Sequence, residues 1–199
     1  MAKIRLGVLG SGKGTNFVAI AQSCAEAIMP AEIAVTLADV PDAGILKQAA
    51  SLGVPGRYID PGKFRTKLDD TAEAAYIAAL IEAQVDLVVL AGFMRILKGP
   101  FLAAFPGRVI NIHPSLLPSF PGIASWKQAL EHGVKVTGCT VHWVDQGIDT
   151  GRIVAQQSVP ILDGDTSETL HERIQQAERV LYPQAIAELI RKGVVKSAV

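Results

Sequence analysis

Short runs of Val, Ile and Leu return along the chain at 4–9 (IRLGVL), 32–38 (EIAVTLA), 87–92 (LVVLAG) and 108–113 (RVINIH). Longer stretches of helical character separate them: TNFVAIAQSCAEAI (15–28), DAGILKQAASLG (42–53) with Gly53 as its stop, and LDDTAEAAYIAALIEAQ (68–84). Continuous apolar strands alternating with segments of crossover length predict βαβ units. In such units helices cover both faces of a parallel sheet, so its strands need no polar side.

After Gly122 the rhythm changes. KVTGCTVHWV (135–144) and RIVAQQSVPI (152–161) alternate more and are joined by the short loop DQGIDTG, which predicts antiparallel neighbours. The segment 165–193 predicts a long amphipathic helix with a Ser or Thr N-cap, an acidic residue soon after it, and an interruption at Pro183. The fold expected is α/β and Rossmann-like: a mostly parallel twisted sheet, antiparallel strands at the C-terminal end, and helices on both faces.

Composition narrows the function classes. With 49% hydrophobic and 19% charged residues the chain has ordinary globular composition, and its 199 residues suit one domain. Nineteen Lys plus Arg balance nineteen Asp plus Glu, so no bulk field draws the protein to nucleic acid or anionic lipid. The longest apolar runs, such as LVVLAGFM, fall far short of the ~20 residues of a membrane span, and the N-terminus has no signal-peptide pattern. Cys24 and Cys139 stand apart, in neither a CxxC nor a metal spacing, as reduced interior thiols would. These features point to a cytoplasmic protein acting on small molecules, without metal, nucleic acid or membrane.

GSGKGTN (10–16) follows the first strand and opens the first helix, where amide N–H groups and the helix dipole favour a phosphate. It is neither GxGxxG, since Thr15 stands where the last glycine would, nor a Walker A loop, since Lys13 precedes Gly14. A single phosphate monoester suits it, although a tight strand-to-helix turn alone would also call for these glycines. Asp39 ends the second strand, where an NAD enzyme would place a ribose-binding acid, but the glycine pattern does not accompany it.

In RVINIH, Asn111 and His113 are two apart and project to one side at the carboxyl end of the strand, where open α/β sheets hold ligands. An amide donor for a developing oxyanion beside a near-neutral acid or base suits attack on a carbonyl. No Ser or Cys lies in a nucleophile-elbow pattern, so direct transfer is the simpler scheme. Asp149, on the loop between the antiparallel strands, is the best carboxylate to orient His113. His142 lies near enough to stand behind it, whereas His132 reads as a helix end and His171 as an exposed helical residue.

Taken together, GSGKGTN, DLVVLAGFMRIL, VINIHPSLLPSFPG, GCTVHWVDQGIDTGRIVAQ and ERIQQAERVLYP resemble, in order and over nearly the whole chain, the folate-dependent phosphoribosylglycinamide formyltransferases. The resemblance implies the formyltransferase fold over residues 1–199, with a ribonucleotide half up to about residue 100 and a folate half from about residue 90. It implies 10-formyltetrahydrofolate as co-substrate, glycinamide ribonucleotide as acceptor, and a monomer or homodimer working in purine synthesis. Asn111 would hold the formyl oxygen, His113 would stabilise the tetrahedral intermediate and shuttle a proton, and Asp149 would orient His113. Gly14, Thr15 and Asn16 would bind the phosphate, with Gln175 and Glu178 reaching the ribose or phosphate. Met94, Arg95, Ile96 and Leu97, with Val144, Asp145, Gly147 and Ile148, would line the folate pocket.

Several positions depart from the family pattern. Ala124 stands where a His is frequent, Ser119 where a basic residue is, and Arg152 where Pro usually follows. The arginine expected on the phosphate has no clean counterpart, and Arg65 or Lys67 would replace it. Two relatives with the same donor chemistry are the alternatives, a formyltetrahydrofolate deformylase and a methionyl-tRNA formyltransferase. A non-catalytic nucleotide-binding module would explain the glycine-rich turn but leave Asn111, His113 and Asp149 as coincidence.

Overall fold

The computed structural model describes residues 3–97 and 99–197. Seven strands form one sheet in the order β3-β2-β1-β4-β5-β6-β7. Strands β1 (Ile4–Leu9), β2 (Ala31–Ala38), β3 (Gly56–Tyr58), β4 (Leu87–Leu90) and β5 (Val109–His113) run parallel. β6 (Val136–Trp143) and β7 (Ile153–Pro160) continue the sheet antiparallel. Helices α1 (Thr15–Ala25), α2 (Gly44–Ser51), α3 (Asp70–Glu82), α4 (Gly99–Ala104), α5 (Ser125–Glu131) and α6 (Ser167–Arg191) complete the described elements.

Alternation within the buried strands divides the core into two layers. Leu87 and Val89 of β4 pack with Phe17, Ile45, Ile174 and Tyr182 on the side of α1, α2 and α6. Val88 and Leu90 pack with Tyr76, Leu80, Phe101 and Phe105 on the side of α3 and α4. All four β4 side chains are therefore buried, and for this reason its run is apolar without a break. β7 lies at an edge and is largely exposed, which accounts for its polar AQQS centre.

The elements differ from the sequence pattern at several places. α1 ends at Ala25 rather than Ile28, because the chain turns through Ala27 at φ 56 before Met29 enters the core. β3, α4 and α5 have no sequence counterpart, being only three to seven residues long. α6 runs unbroken through Pro183. A proline inside a helix costs ~3 kcal/mol, yet Leu181, Tyr182, Ala185, Ile186 and Leu189 bury one face around it, and that packing holds the helix together. α6 begins with a capping box in which Thr166 and Thr169 serve each other's backbone amides.

β2 and β4 flank β1 on opposite sides, so the chain reverses its direction of travel across the sheet there. That reversal opens a crevice at the carboxyl ends of β1 and β4.

Candidate active site

The glycine-rich turn occupies that crevice. Gly10 N–H donates to the Leu37 carbonyl and Ser11 N–H to the Gly92 carbonyl, tying the turn to the ends of β2 and β4. Gly14 caps α1 at φ 81, and a Cβ there would stand 2.8 Å from the Ile45 Cα. Both its conformation and its space therefore require glycine. The α1 N-terminus opens onto a cavity of about 440 Å³. Gly14, Thr15 and Asn16 line one wall, and His171, Gln175 and Glu178, spaced four and three apart on one face of α6, line the other.

At the floor of this cavity Asn16 Nδ2 donates to Glu178 Oε2 at 2.9 Å. Asn16 Oδ1 is buried with no partner. Burial pushes the Glu178 carboxyl up to about 7, with the Asn16 amide and Arg179 opposing. A buried acceptor without a donor, beside a carboxyl, suits a ligand that brings hydroxyl groups.

Arg65 and Lys67 are not brought to this cavity. Lys67 Nζ lies over the Phe64 ring, 4.4 Å from its centroid, and Arg65 is exposed on the same loop. Arg95 pins that loop from beneath, with Nη1 donating at 2.6 Å to the carbonyls of Phe64 and Arg65. Its Nε pairs with Asp39 at 2.6 Å, so Asp39 anchors an arginine rather than standing free for a ribose.

At the end of β5, Asn111 sits opposite His142 and His113 opposite Thr140 on β6. Asp149 Oδ2 lies 3.3 Å from His113 Nδ1, and Oδ1 lies 3.6 Å from His142 Nε2. Gly122 N–H also donates to Oδ2, at 2.8 Å. On its far edge His113 Nε2 meets the Phe120 carbonyl at 3.0 Å. Both partners of His113 only accept, so the set is complete when the ring is the imidazolium. Burial pushes the His113 pKa below its usual value, against the Phe120 carbonyl and the Asp149 charge. For Asp149, burial works to raise the carboxyl, but His142, the Gly122 amide and His113 outweigh it and hold it below its ordinary value.

His142 completes the cluster. Asn111 Nδ2 lies 3.3 Å from its Nε2, and Nδ1 donates to the Trp143 carbonyl at 2.9 Å. Three non-glycine residues with left-handed backbone surround these groups: Phe120 (φ 54), Ala124 (φ 54) and Asp149 (φ 55). Such conformations persist only where the surroundings over-determine them, and they gather at functional sites.

A second cavity of about 190 Å³ adjoins the cluster. Asn111, His142 and Asp149 form its polar end, and Met94, Arg95, Ile96, Leu97, Val144, Asp145, Gly147 and Ile148 all line it. Met94 and Ile96 are not core residues but are 68% and 46% exposed, apolar surface left bare at a cleft mouth, whereas Leu97 is buried. Asp145 Oδ1 accepts from Gly147 N–H and the Thr150 hydroxyl, contacts that shape the loop. Met94 lines both cavities, and β5 divides them, with Asn111 on one and Ile112 on the other. Among the described residues, no three His, Cys, Asp or Glu side chains gather as metal ligands would.

Sequence patterns missed Lys13, Trp126 and His171 in the larger cavity. His171 is not a free helical residue: it is half-buried and stacked on Trp126. Trp126 lies on a helix too short to register as a pattern. The i, i+4, i+7 relation of His171, Gln175 and Glu178 was the available signal. His132 does stand at a helix end, as the C-cap of α5.

The formyl transferase family model matches residues 4–186. Phosphoribosylglycinamide formyltransferase of Bacillus subtilis is 40% identical over 190 residues, covering 94% of each chain. The trifunctional purine biosynthetic protein adenosine-3 of Gallus gallus is 43% identical over 98% of this chain, which spans only 19% of that protein's length. Among solved structures, glycinamide ribonucleotide transformylase 1 of Symbiobacterium toebii superposes with a TM-score of 0.91 at 48% identity, covering 96% of this chain and 89% of its own.

Proposed function

The chain belongs to the formyl transferase family, and on that premise we propose that it transfers the formyl group of 10-formyltetrahydrofolate to the amine of 5'-phosphoribosylglycinamide in purine biosynthesis. The observation that carries this reading is the pair of cavities sharing Met94 and divided by the end of β5. One has apolar walls suited to a flat pteridine and ends on Asn111, His142 and Asp149. The other joins a helix N-terminus, suited to a phosphate, to the acceptors of Asn16 and Glu178, suited to a ribose diol. Two substrates laid in these cavities would meet beside Asn111.

In this reaction the neutral glycinamide amine attacks the formyl carbon, a C–N bond forms and the carbonyl oxygen takes up negative charge. The Asn111 amide supplies a donor to that oxygen, and a protonated His113 Nε2 supplies a second on exchanging its Phe120 partner for it. Asp149 orients the His113 ring and favours a proton on it. The bond from the formyl carbon to folate N10 then breaks, and the proton lost by the amine ends on N10. No covalent enzyme intermediate is needed.

The test is release of tetrahydrofolate from the formyl donor with glycinamide ribonucleotide present, omitted, or replaced by methionyl-tRNA. Turnover that requires glycinamide ribonucleotide is expected. Release with no acceptor would make the protein a deformylase, and no release under any condition would leave a binding module.

A further inference from the structure

Two basic side chains reach the larger cavity. Lys13 enters it from the glycine-rich turn and His171 from α6, on the opposite wall. The His171 ring is held in place before any ligand arrives. It lies flat on Trp126, with centroids 3.7 Å apart and planes 3° from parallel, and Gln175 Nε2 meets its Nε2 at 3.3 Å. Trp126 is fixed in turn, since its Nε1–H donates to the Ser167 hydroxyl at 3.0 Å. Burial first, and then the nearby Lys13 charge, disfavours a proton on His171. Two groups able to carry positive charge therefore converge on one space, and a dianion there would favour a proton on His171. Neither Arg65 nor Lys67 lines the space.

We propose that His171, clamped by Trp126, is a specificity-determining residue for the acceptor's phosphate, contacting its oxygens from the wall opposite the α1 amides. It stands in for the basic side chain that the 64–67 loop does not bring. The inference rests on the acceptor reading above, which names what would fill the cavity; the stack on Trp126 is what would hold the ring against it. A preorganised imidazole loses little freedom on binding, so its contact registers in affinity rather than in the chemical step.

Steady-state kinetics of the wild type, His171→Ala and His171→Lys at pH 7.5 test this. In His171→Ala, KM for glycinamide ribonucleotide is expected to rise tenfold or more, with kcat and KM for the formyl donor within twofold of wild type. His171→Lys restores a charge but not the stack, and is expected to bring KM back to within about threefold. An unchanged KM in His171→Ala overturns the proposal. So does equal damage in His171→Lys and His171→Ala, or a parallel rise in both KM values, since each marks a packing role only. A wild type that ignores glycinamide ribonucleotide overturns the acceptor reading itself, a result distinct from any of these.

Discussion

Asn16 and Glu178, 162 positions apart in the chain, meet through one hydrogen bond of 2.9 Å at the floor of the larger cavity. That contact joins the first turn of α1 to the middle of α6, and burial pushes its carboxyl up to about 7.

This contact gives stability a pH dependence of known sign. Glu178 binds a proton more tightly folded than unfolded, so between about pH 4.5 and 7 the native state holds more protons. Its contribution is therefore most favourable below the unfolded value and is lost as pH rises through about 7. Glu178→Gln removes the charge but keeps an acceptor for Asn16. At pH 8 the variant is expected to be more stable than wild type by about 2 to 3 kcal/mol, and at pH 5 by much less. Urea unfolding at the two pH values measures both, and equal differences would show that Glu178 is not desolvated. Its turnover is expected to fall, since the proposed acceptor would meet the same carboxylate.

Asp149 combines a charge with a left-handed backbone, and the two separate by substitution. Asn accepts φ 55 readily, whereas Ala at that conformation costs ~1 kcal/mol more. Asp149→Asn is expected to lower kcat by about 10²- to 10⁴-fold with little change in unfolding midpoint. Asp149→Ala is expected to match it in kcat and to unfold more easily. A kcat within threefold of wild type in Asp149→Asn would remove the carboxylate from the reaction.

The sheet was legible because its strands are buried on both faces: the unbroken LVVL of β4 follows from cover by α3 and α4 on one side and α6 on the other. Asn111 and His113 were legible because a strand's two-residue period fixes which side chains share a side. What escaped depended on contacts distant in sequence. Nothing near Trp126 announces that it will meet His171, 45 positions later, and nothing near Arg95 announces Asp39. That Arg65 and Lys67 lie outside the lining of the larger cavity was hidden for the same reason, since basic character alone says nothing of which way a loop is tied down. Pro183 misled because local propensity carries no knowledge of the core against which Tyr182 and Ile186 pack.

Gly14→Ala tests whether the turn is built for its ligand as well as for its backbone. The added Cβ meets the Ile45 Cα at 2.8 Å in a conformation at φ 81, so α1 and α2 must separate or the cap must rotate. A loss of about 1 to 3 kcal/mol in stability is expected. KM for the ribonucleotide is expected to rise more than KM for the formyl donor, because the displaced amides face only the larger cavity. Equal rises in both would mean that the damage spreads through the fold.

Tyr182 offers a prediction about the scaffold rather than the chemistry. Its ring is fully buried, and its hydroxyl donates to the carbonyls of Leu90 at 3.0 Å and Ile110 at 3.2 Å. These carbonyls end β4 and precede Asn111 on β5, so one O–H fastens α6 to the two strands that carry the site. Removing it takes a shared donor from two strand carbonyls, which costs about 1 kcal/mol. Tyr182→Phe keeps the ring and is expected to lower Tm by about 2 to 4 °C for each kcal/mol lost. kcat is expected to stay within a few-fold of wild type at 25 °C, because β5 retains its pairing with β4 and β6. If kcat fell a hundredfold while Tm held, the hydroxyl would be setting the position of Asn111 rather than the stability of the sheet.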